Sequence, residues 1–261
     1  MPKLKVNNLD LNYEMTGKGQ SVLFVHGLGS SSRDWEEQVN YFSKDYQVVT
    51  IDVRGHGLSD KPPGPYSIKL FSDDTAALIT SLDLSPVHIA GISMGGMIAF
   101  QLAVDNPNLL KSMTIVNSGP EMIARSFKEK LMIFQRSVIF RLLSMQKIGE
   151  VLAGRLFPKA DQEELRIKMV KRWAENDKRA YTDSFKALVG WSVAEHIGNI
   201  KCPTLVIAAD EDYTPVSLKE DYVSKMKDAQ LVLINDSRHA TPLDRPAEFN
   251  KTLATFLSKH S

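Results

Sequence analysis

The chain has 261 residues, of which 43% are hydrophobic and 24% charged, which suits one large α/β domain with or without an insertion. Its formal net charge of +1 gives no reason to expect a nucleic acid or a membrane surface as partner. No apolar run is long enough to cross a bilayer, the charged N-terminus lacks the apolar core of a signal peptide, and the single cysteine, Cys202, excludes an internal disulfide. We therefore predict a cytoplasmic protein without membrane insertion.

The first strands lead to a glycine-rich loop. Residues 4–6 and 11–15 predict an antiparallel hairpin at a sheet edge, turning at Asn7-Asn8. Residues 21–25 form a continuous apolar strand, typical of one buried on both faces, and run into the loop 26–32. This loop could supply N–H donors for an oxyanion, or it could simply cap the next helix, and both can hold at once. His26 suits fixing the loop by hydrogen bonds better than acting as a base.

A second charged turn follows the strand 46–51, after a short amphipathic helix at 35–42. It contains Asp52, Arg54 and His56, for which fixing the loop is favoured over catalysis by His56. A helix is predicted over 68–82 with Ser67 as its N-cap.

A serine lies on a sharp turn between a strand and a helix. The apolar strand 87–90 ends in Gly91-Ile92-Ser93-Met94-Gly95, and a helical pattern follows at 97–104. A serine on such a turn has strained backbone geometry and an exposed hydroxyl. The glycines on either side allow close packing of the turn against its neighbours. This context favours Ser93 as a nucleophile over an ordinary loop serine.

The alternation of strands and helices stops after the strand 112–116. Residues 121–199 read as helical and carry a local excess of basic residues. We predict a helical cap at 121–199, inserted into a core formed by 1–120 and 200–261. Its apolar residues either pack the cap helices together or line a pocket for an acyl group. The pocket candidates are Phe134, Ile139, Leu143, Leu188 and Trp191.

Strands at 204–209 and 231–234 bring further candidates, and a helix at 246–257 ends the chain. A serine needs a base, and a carboxylate must hold that base in the correct tautomer. His239 follows the last strand and is the candidate base. Asp210, Glu211 and Asp212 all follow the strand before it, and their position leaves the choice of acid open.

The motifs together resemble a known superfamily. His-Gly at 26–27, Asp-x-Arg-Gly-His-Gly at 52–57, Gly-x-Ser-x-Gly-Gly at 91–96 and His239 recur in the order of α/β-hydrolases, specifically small esterases and enol-lactonase-like enzymes. The resemblance implies an α/β-hydrolase fold: a mostly parallel eight-stranded sheet flanked by helices, with a helical cap insertion. It also implies Asp212 as the acid, with Asp210 in reserve, and the backbone N–H groups of Leu28 and Met94 as the oxyanion hole.

The predicted function is hydrolysis of carboxylic esters of small to medium apolar substrates through an acyl-enzyme on Ser93. No cofactor or metal is implied, and the protein would act as a monomer or homodimer on a small-molecule ester. The same residues could instead open lactones, hydrolyse C–C bonds or form peracids. A slow ligand-binding signalling protein on the same scaffold is the alternative from another class.

Overall fold

One eight-stranded sheet forms the centre of the protein, whose computed structural model describes residues 2–261. The strand order across the sheet is β1-β2-β4-β3-β5-β6-β7-β8. The strands are β1 (Lys3–Val6), β2 (Leu9–Thr16), β3 (Ser21–Val25), β4 (Gln47–Ile51), β5 (Val87–Ile92), β6 (Leu110–Val116), β7 (Thr204–Ala209) and β8 (Ala229–Ile234).

Strand direction follows the sequence pattern. The pairs from β4 through β3, β5, β6 and β7 to β8 are all parallel, and β3 and β7 are buried along their whole length. β1 and β2 are antiparallel and joined by a turn in which Asn7 and Asn8 have φ of 46° and 62°. That turn is the predicted hairpin. The predicted mostly parallel eight-stranded sheet of the α/β-hydrolase fold is confirmed.

Helices cover both faces of the sheet. One face packs against α2 and α3 through residues such as Phe71 and Phe100, and the other against α1 and α10 through Phe42 and Phe249. The helices are α1 (Glu36–Phe42), α2 (Ile68–Ser81), α3 (Met94–Asp105), α4 (Phe127–Leu142), α5 (Met145–Leu156), α6 (Glu163–Ala174), α7 (Lys178–Leu188), α8 (Val216–Val223), α9 (Thr241–Asp244) and α10 (Pro246–Lys259). Ser67 accepts a hydrogen bond from the Leu70 N–H and so caps α2, as predicted.

Four helices, α4 to α7, lie between β6 and β7, within the segment 121–199. A separate apolar cluster that includes Phe140, Trp173, Tyr181 and Phe185 holds them together. The chain leaves the core at Glu121 and returns beside it at Ser192, because these two residues pair in an isolated antiparallel bridge. No helix within residues 2–261 has the length and apolar character needed to cross a membrane.

Candidate active site

Ser93 occupies the turn between β5 and α3. Its φ of 52° and ψ of −116° are strained for a residue with a side chain, and its own side chain forms no cap for the helix. A Cβ on Gly95 would lie 2.1 Å from the Val25 carbonyl oxygen, so the turn can approach β3 only with glycine there. The Ser118 hydroxyl donates to the Ser93 carbonyl oxygen at 2.6 Å. Packing and this bond fix the direction in which the serine faces.

His239 lies in the loop after β8, and Asp212 in the loop after β7. Their side chains meet, with His239 Nδ1 2.6 Å from Asp212 Oδ1. The Tyr213 ring stacks on the imidazole, with centroids 4.5 Å apart. Hydrogen bonding through Nδ1 leaves Nε2 as the free ring nitrogen. His239 and Ser93 line the same cavity.

A buried lysine holds the other oxygen of Asp212. Lys219, on α8, donates from Nζ to Asp212 Oδ2 at 2.5 Å, and both side chains are 1% exposed. The Thr214 hydroxyl donates to the same oxygen at 2.9 Å. Burial opposes ionisation of this carboxyl, but hydrogen bonds and charge from His239 and Lys219 outweigh it and place the pKa of Asp212 below its ordinary value. Asp212 is therefore ionised and held by both of its oxygens.

The other two carboxylates after β7 have different partners. Asp210 is exposed and accepts from the backbone N–H groups of Asp236 and Ser237 at 3.0 and 3.1 Å. Glu211 pairs with Arg238 at 2.9 Å. Both therefore hold the loop that leads to His239, and of the three only Asp212 contacts its ring.

The His26 side chain orients the backbone of the loop after β3. The Val53 N–H donates to His26 Nε2 at 2.9 Å, so Nδ1 carries the proton and donates to the Gly27 carbonyl at 2.7 Å. That carbonyl shares a planar peptide with the Leu28 N–H, which must point the opposite way. Burial lowers the pKa of His26 and keeps the ring neutral. Met94, the other predicted donor, opens α3, where N–H groups have no partner within the helix.

Helix α6 binds the same loop from the side of the segment 121–199. The Asn176 amide, just beyond α6, donates to the Gly29 carbonyl at 2.8 Å. Arg172 donates to the Arg33 carbonyl at 2.8 Å and to Asp34 Oδ1 at 2.6 Å. Gly29 has φ of 75°, and a Cβ there would lie 2.7 Å from the Trp173 ring. The loop and α6 are thus in direct contact through both polar groups and packing.

The cavity shared by Ser93 and His239 has a volume of about 80 Å³. It is bounded by the β3 loop, by α5 and α6, and by the residues after His239. Its apolar walls include Leu28, Trp35, Ile92, Leu156, Met169, Trp173 and Leu243. Asp34 is the acidic residue in its lining, and its partner Arg172 is not part of the lining.

The five residues predicted to line the pocket lie elsewhere. Phe134 and Ile139 are 64% and 45% exposed on α4, because that helix packs inward through Phe140. Leu143 joins the apolar cluster between helices α4 to α7, and Leu188 is buried against the core. Trp191 donates from its ring nitrogen to Gln101 at 2.8 Å. Helices α5 and α6 supply the walls that had been assigned to α4 and α7.

Two residues with roles in the site escaped the sequence analysis. Lys219 looks like any helix lysine, and only its burial reveals the pairing with Asp212. Asn117 has φ of 44° at the end of β6, where its amide donates to the His239 carbonyl at 2.9 Å and its oxygen accepts from the Ala209 N–H at 2.8 Å. Its place at the end of a buried strand was the available signal. It therefore links the end of β6 to the end of β7 and to the backbone of the loop that carries His239.

Comparison with known proteins finds similar sequences and a similar fold. The (E)-2-((N-methylformamido)methylene)succinate hydrolase of Acinetobacter baylyi is 28% identical over 263 residues, covering 96% of this chain and 95% of that protein. The 3-oxoadipate enol-lactonase 2 of the same species is 25% identical over 261 residues, covering 98% and 96%. The crystal structure of an enol-lactonase from Burkholderia xenovorans has a TM-score of 0.91 at 24% identity, covering 98% of this chain and 100% of that one, and shows the shared fold. A family model described as the alpha/beta hydrolase family matches residues 22–252. Since that match spans most of the sequence, from β3 into α10, the chain belongs to the alpha/beta hydrolase family.

Proposed function

We propose that the protein is a serine hydrolase that cleaves carboxylic esters of small neutral substrates, with Ser93, His239 and Asp212 as its catalytic triad. Membership of a hydrolase family supports an enzymatic role. The observation that carries the proposal is the convergence of three strand ends: Ser93 and His239 line one cavity, and Asp212 Oδ1 is 2.6 Å from His239 Nδ1.

In the proposed acylation step, His239 Nε2 takes the proton of Ser93 while the serine oxygen attacks the ester carbonyl carbon. The N–H groups of Leu28 and Met94 stabilise the resulting oxyanion. The tetrahedral intermediate expels the alcohol, which receives the proton from His239, and leaves an ester on Ser93. Asp212 stabilises the imidazolium that forms in between.

Deacylation repeats the same steps with water. His239 removes a proton from water, whose oxygen attacks the acyl carbon, and Ser93 recovers that proton as the carboxylic acid leaves. In both steps only Ser93 and His239 gain or lose a proton, because Asp212 stays ionised and the two N–H groups act solely as hydrogen-bond donors. We propose that the segment 121–199 acts as a cap that supplies the walls around the acyl group. We also propose a cytoplasmic location, because a single cysteine leaves no partner for a disulfide within the chain. We propose that the protein acts as a monomer or a homodimer.

Charge in the cavity supports neutral substrates. Within residues 2–261 its lining contains no lysine or arginine, and the negative charge of Asp34 is balanced by Arg172 at 2.6 Å. An anionic substrate would lose its hydration without gaining a cationic partner, which is costly. The names of the two relatives from Acinetobacter baylyi contain succinate and oxoadipate, which are carboxylates. We therefore propose that this chain differs from them in the charge that it accepts.

Lactone opening is the second candidate. It uses the same attack on a carbonyl carbon, except that the leaving alkoxide stays attached to the acyl group. The name of the 25% identical enol-lactonase favours lactone opening as a second activity. Hydrolysis of a C–C bond would need contacts that stabilise a carbanion, and the described cavity lining does not offer them.

The test measures hydrolysis of p-nitrophenyl butyrate and of the mono-p-nitrophenyl ester of succinate, with γ-butyrolactone as the cyclic substrate. We expect turnover of the neutral ester, a substantially lower kcat/KM for the anionic ester, and an acyl adduct on Ser93 by intact mass. Ser93→Ala should lose the adduct and the turnover. Wild-type rates in Ser93→Ala would refute the proposal.

The matched pair for the acid is Asp212→Asn and Asp210→Asn. Loss of the carboxylate that holds the imidazole can lower kcat by about 10⁴-fold. Asp210→Asn removes only contacts to backbone N–H groups, so we expect a far smaller change in kcat. A larger loss in Asp210→Asn than in Asp212→Asn would move the role to Asp210.

A further inference from the structure

The outer face of α4 carries an exposed apolar stripe. Within residues 2–261, eight of the 17 exposed large hydrophobic side chains fall between positions 123 and 142. Five of them recur at intervals of three or four residues and so lie on one side of the helix. We call these the outer stripe: Phe127, Leu131, Phe134, Val138 and Leu142. Phe127 is 81% exposed and Leu142 is 74% exposed.

The opposite side of α4 fixes the helix to the rest of the protein. Phe140 is buried, and its ring lies 5.1 Å from the Tyr181 ring and 4.9 Å from the Phe185 ring. Ile133 and Leu143 pack partly buried on the same cluster. Because this inward face is already satisfied, the outer stripe cannot turn into the core without exposing Phe140. A contiguous apolar surface of this kind marks an interaction site.

The charge beside the outer stripe is positive. Residues 123–142 contain five basic residues and one acidic residue, a local net charge of +4, compared with +1 for the whole chain. By helical spacing, Lys130 and Arg141 border the stripe on one side and Lys128 on the other. The acidic residue, Glu129, is engaged in the capping box with Ser126.

We propose that the outer stripe docks the protein onto an anionic lipid surface, with its apolar side chains at the acyl boundary and the flanking lysine and arginine side chains among the head groups. A helix with an apolar stripe and basic borders binds such interfaces by lying in their plane. A second copy of this chain would bring together the basic side chains that border both stripes, Lys128, Lys130 and Arg141, and their repulsion disfavours that partner. The proposal concerns a surface contact and is independent of the proposed esterase activity.

The test is co-sedimentation of the full chain with vesicles of phosphatidylcholine alone and of phosphatidylcholine mixed with phosphatidylglycerol. We expect binding to the mixed vesicles at low salt and little binding to the neutral ones. The double variant Phe127→Ser/Leu142→Ser should bind at least about tenfold more weakly, because two apolar anchors are lost. Lys128→Glu/Lys130→Glu should abolish the preference for anionic vesicles.

Ile167→Ser is the matched control, because Ile167 is 64% exposed on α6, outside the outer stripe. It should bind as the wild type does. Equal binding by Phe127→Ser/Leu142→Ser and Ile167→Ser would overturn the proposal, as would an absence of vesicle binding by the wild type. A dimer that dissociates in the stripe variant would assign the face to self-association instead, and circular dichroism checks that each variant remains folded.

Discussion

Replacing Lys219 by methionine tests how far the site depends on a buried charge. Methionine keeps the unbranched apolar stem but removes the ammonium group, which donates to Asp212 Oδ2, to the Thr214 carbonyl and to the Thr214 hydroxyl. Breaking a buried ion pair by removing one partner costs about 3–5 kcal/mol. Since His239 and Thr214 still bind the carboxylate, we expect the lower end, about 3 kcal/mol of unfolding free energy.

Urea denaturation at neutral pH, followed by tryptophan fluorescence, measures this loss. Lys225→Met is the matched control, because Lys225 is 58% exposed and its pair with Asp221 is 2.6 Å long. An exposed pair of this kind contributes about 0–1 kcal/mol, so Lys225→Met should change stability little. In Lys219→Met, kcat for ester hydrolysis should fall by a larger factor than KM changes, because the lysine acts on the substrate only through Asp212.

A double-mutant cycle separates this pairing from simple loss of packing. In an Asp212→Asn background Lys219 has lost its counter-charge, so Lys219→Met should cost much less than in the wild type. An identical loss in both backgrounds would show that the ion pair contributes no stability and would refute the reasoning.

Three further predictions follow from contacts around the site. Asn176→Ala removes the amide that holds the Gly29 carbonyl. We expect kcat for a neutral ester to fall about tenfold with KM nearly unchanged, which is part of the 10²–10³-fold loss that follows removal of an oxyanion donor. An unaltered kcat would show that this hydrogen bond is not needed to position the loop. Burial lowers the pKa of His56 to about 3 and that of His88 to about 4. Because the unfolded chain takes up these protons below its own histidine pKa of about 6.5, the contribution of these two histidines to stability should be full above that pH and fall below it by up to about 2.7 kcal/mol per pH unit, which urea titrations at several pH values measure. Gly95→Ala should be largely unfolded and show little folding transition in a thermal melt, because the added Cβ would lie 2.1 Å from a β3 carbonyl oxygen. A wild-type melting temperature would contradict the tight packing of the turn.

The core of the fold could be predicted because buried parallel strands have a pattern that depends on local sequence. The strand 21–25 is apolar throughout and is buried at every position. Helix α3 was harder to place: the pattern predicted 97–104, whereas the helix begins at Met94. Gly95 and Gly96 weaken any helical signal, yet their close packing is what lets the helix start directly after Ser93.

The segment 121–199 was less predictable, since its helices have apolar residues on more than one side. Helical spacing puts the residues of the outer stripe on one side of α4, but it cannot tell an inward face from an outward one. The inward face is instead decided by contacts with side chains distant in sequence, such as those of Phe140 with Tyr181 and Phe185 on α7. Choosing among the carboxylates after β7 likewise required the loop conformation, which separates Asp212 from Asp210 by their hydrogen-bond partners.

The contact between α6 and the β3 loop has a consequence for exchanging residues 121–199 between members of this family. Trp173 occupies space that any side chain at position 29 would need, and Arg172 and Asn176 are matched to particular carbonyls. A chimaera that takes residues 121–199 from a relative would therefore have mismatched contacts between α6 and the loop after β3. Grafting the donor's own residues 26–36 together with its residues 121–199 would keep both sides of this contact compatible.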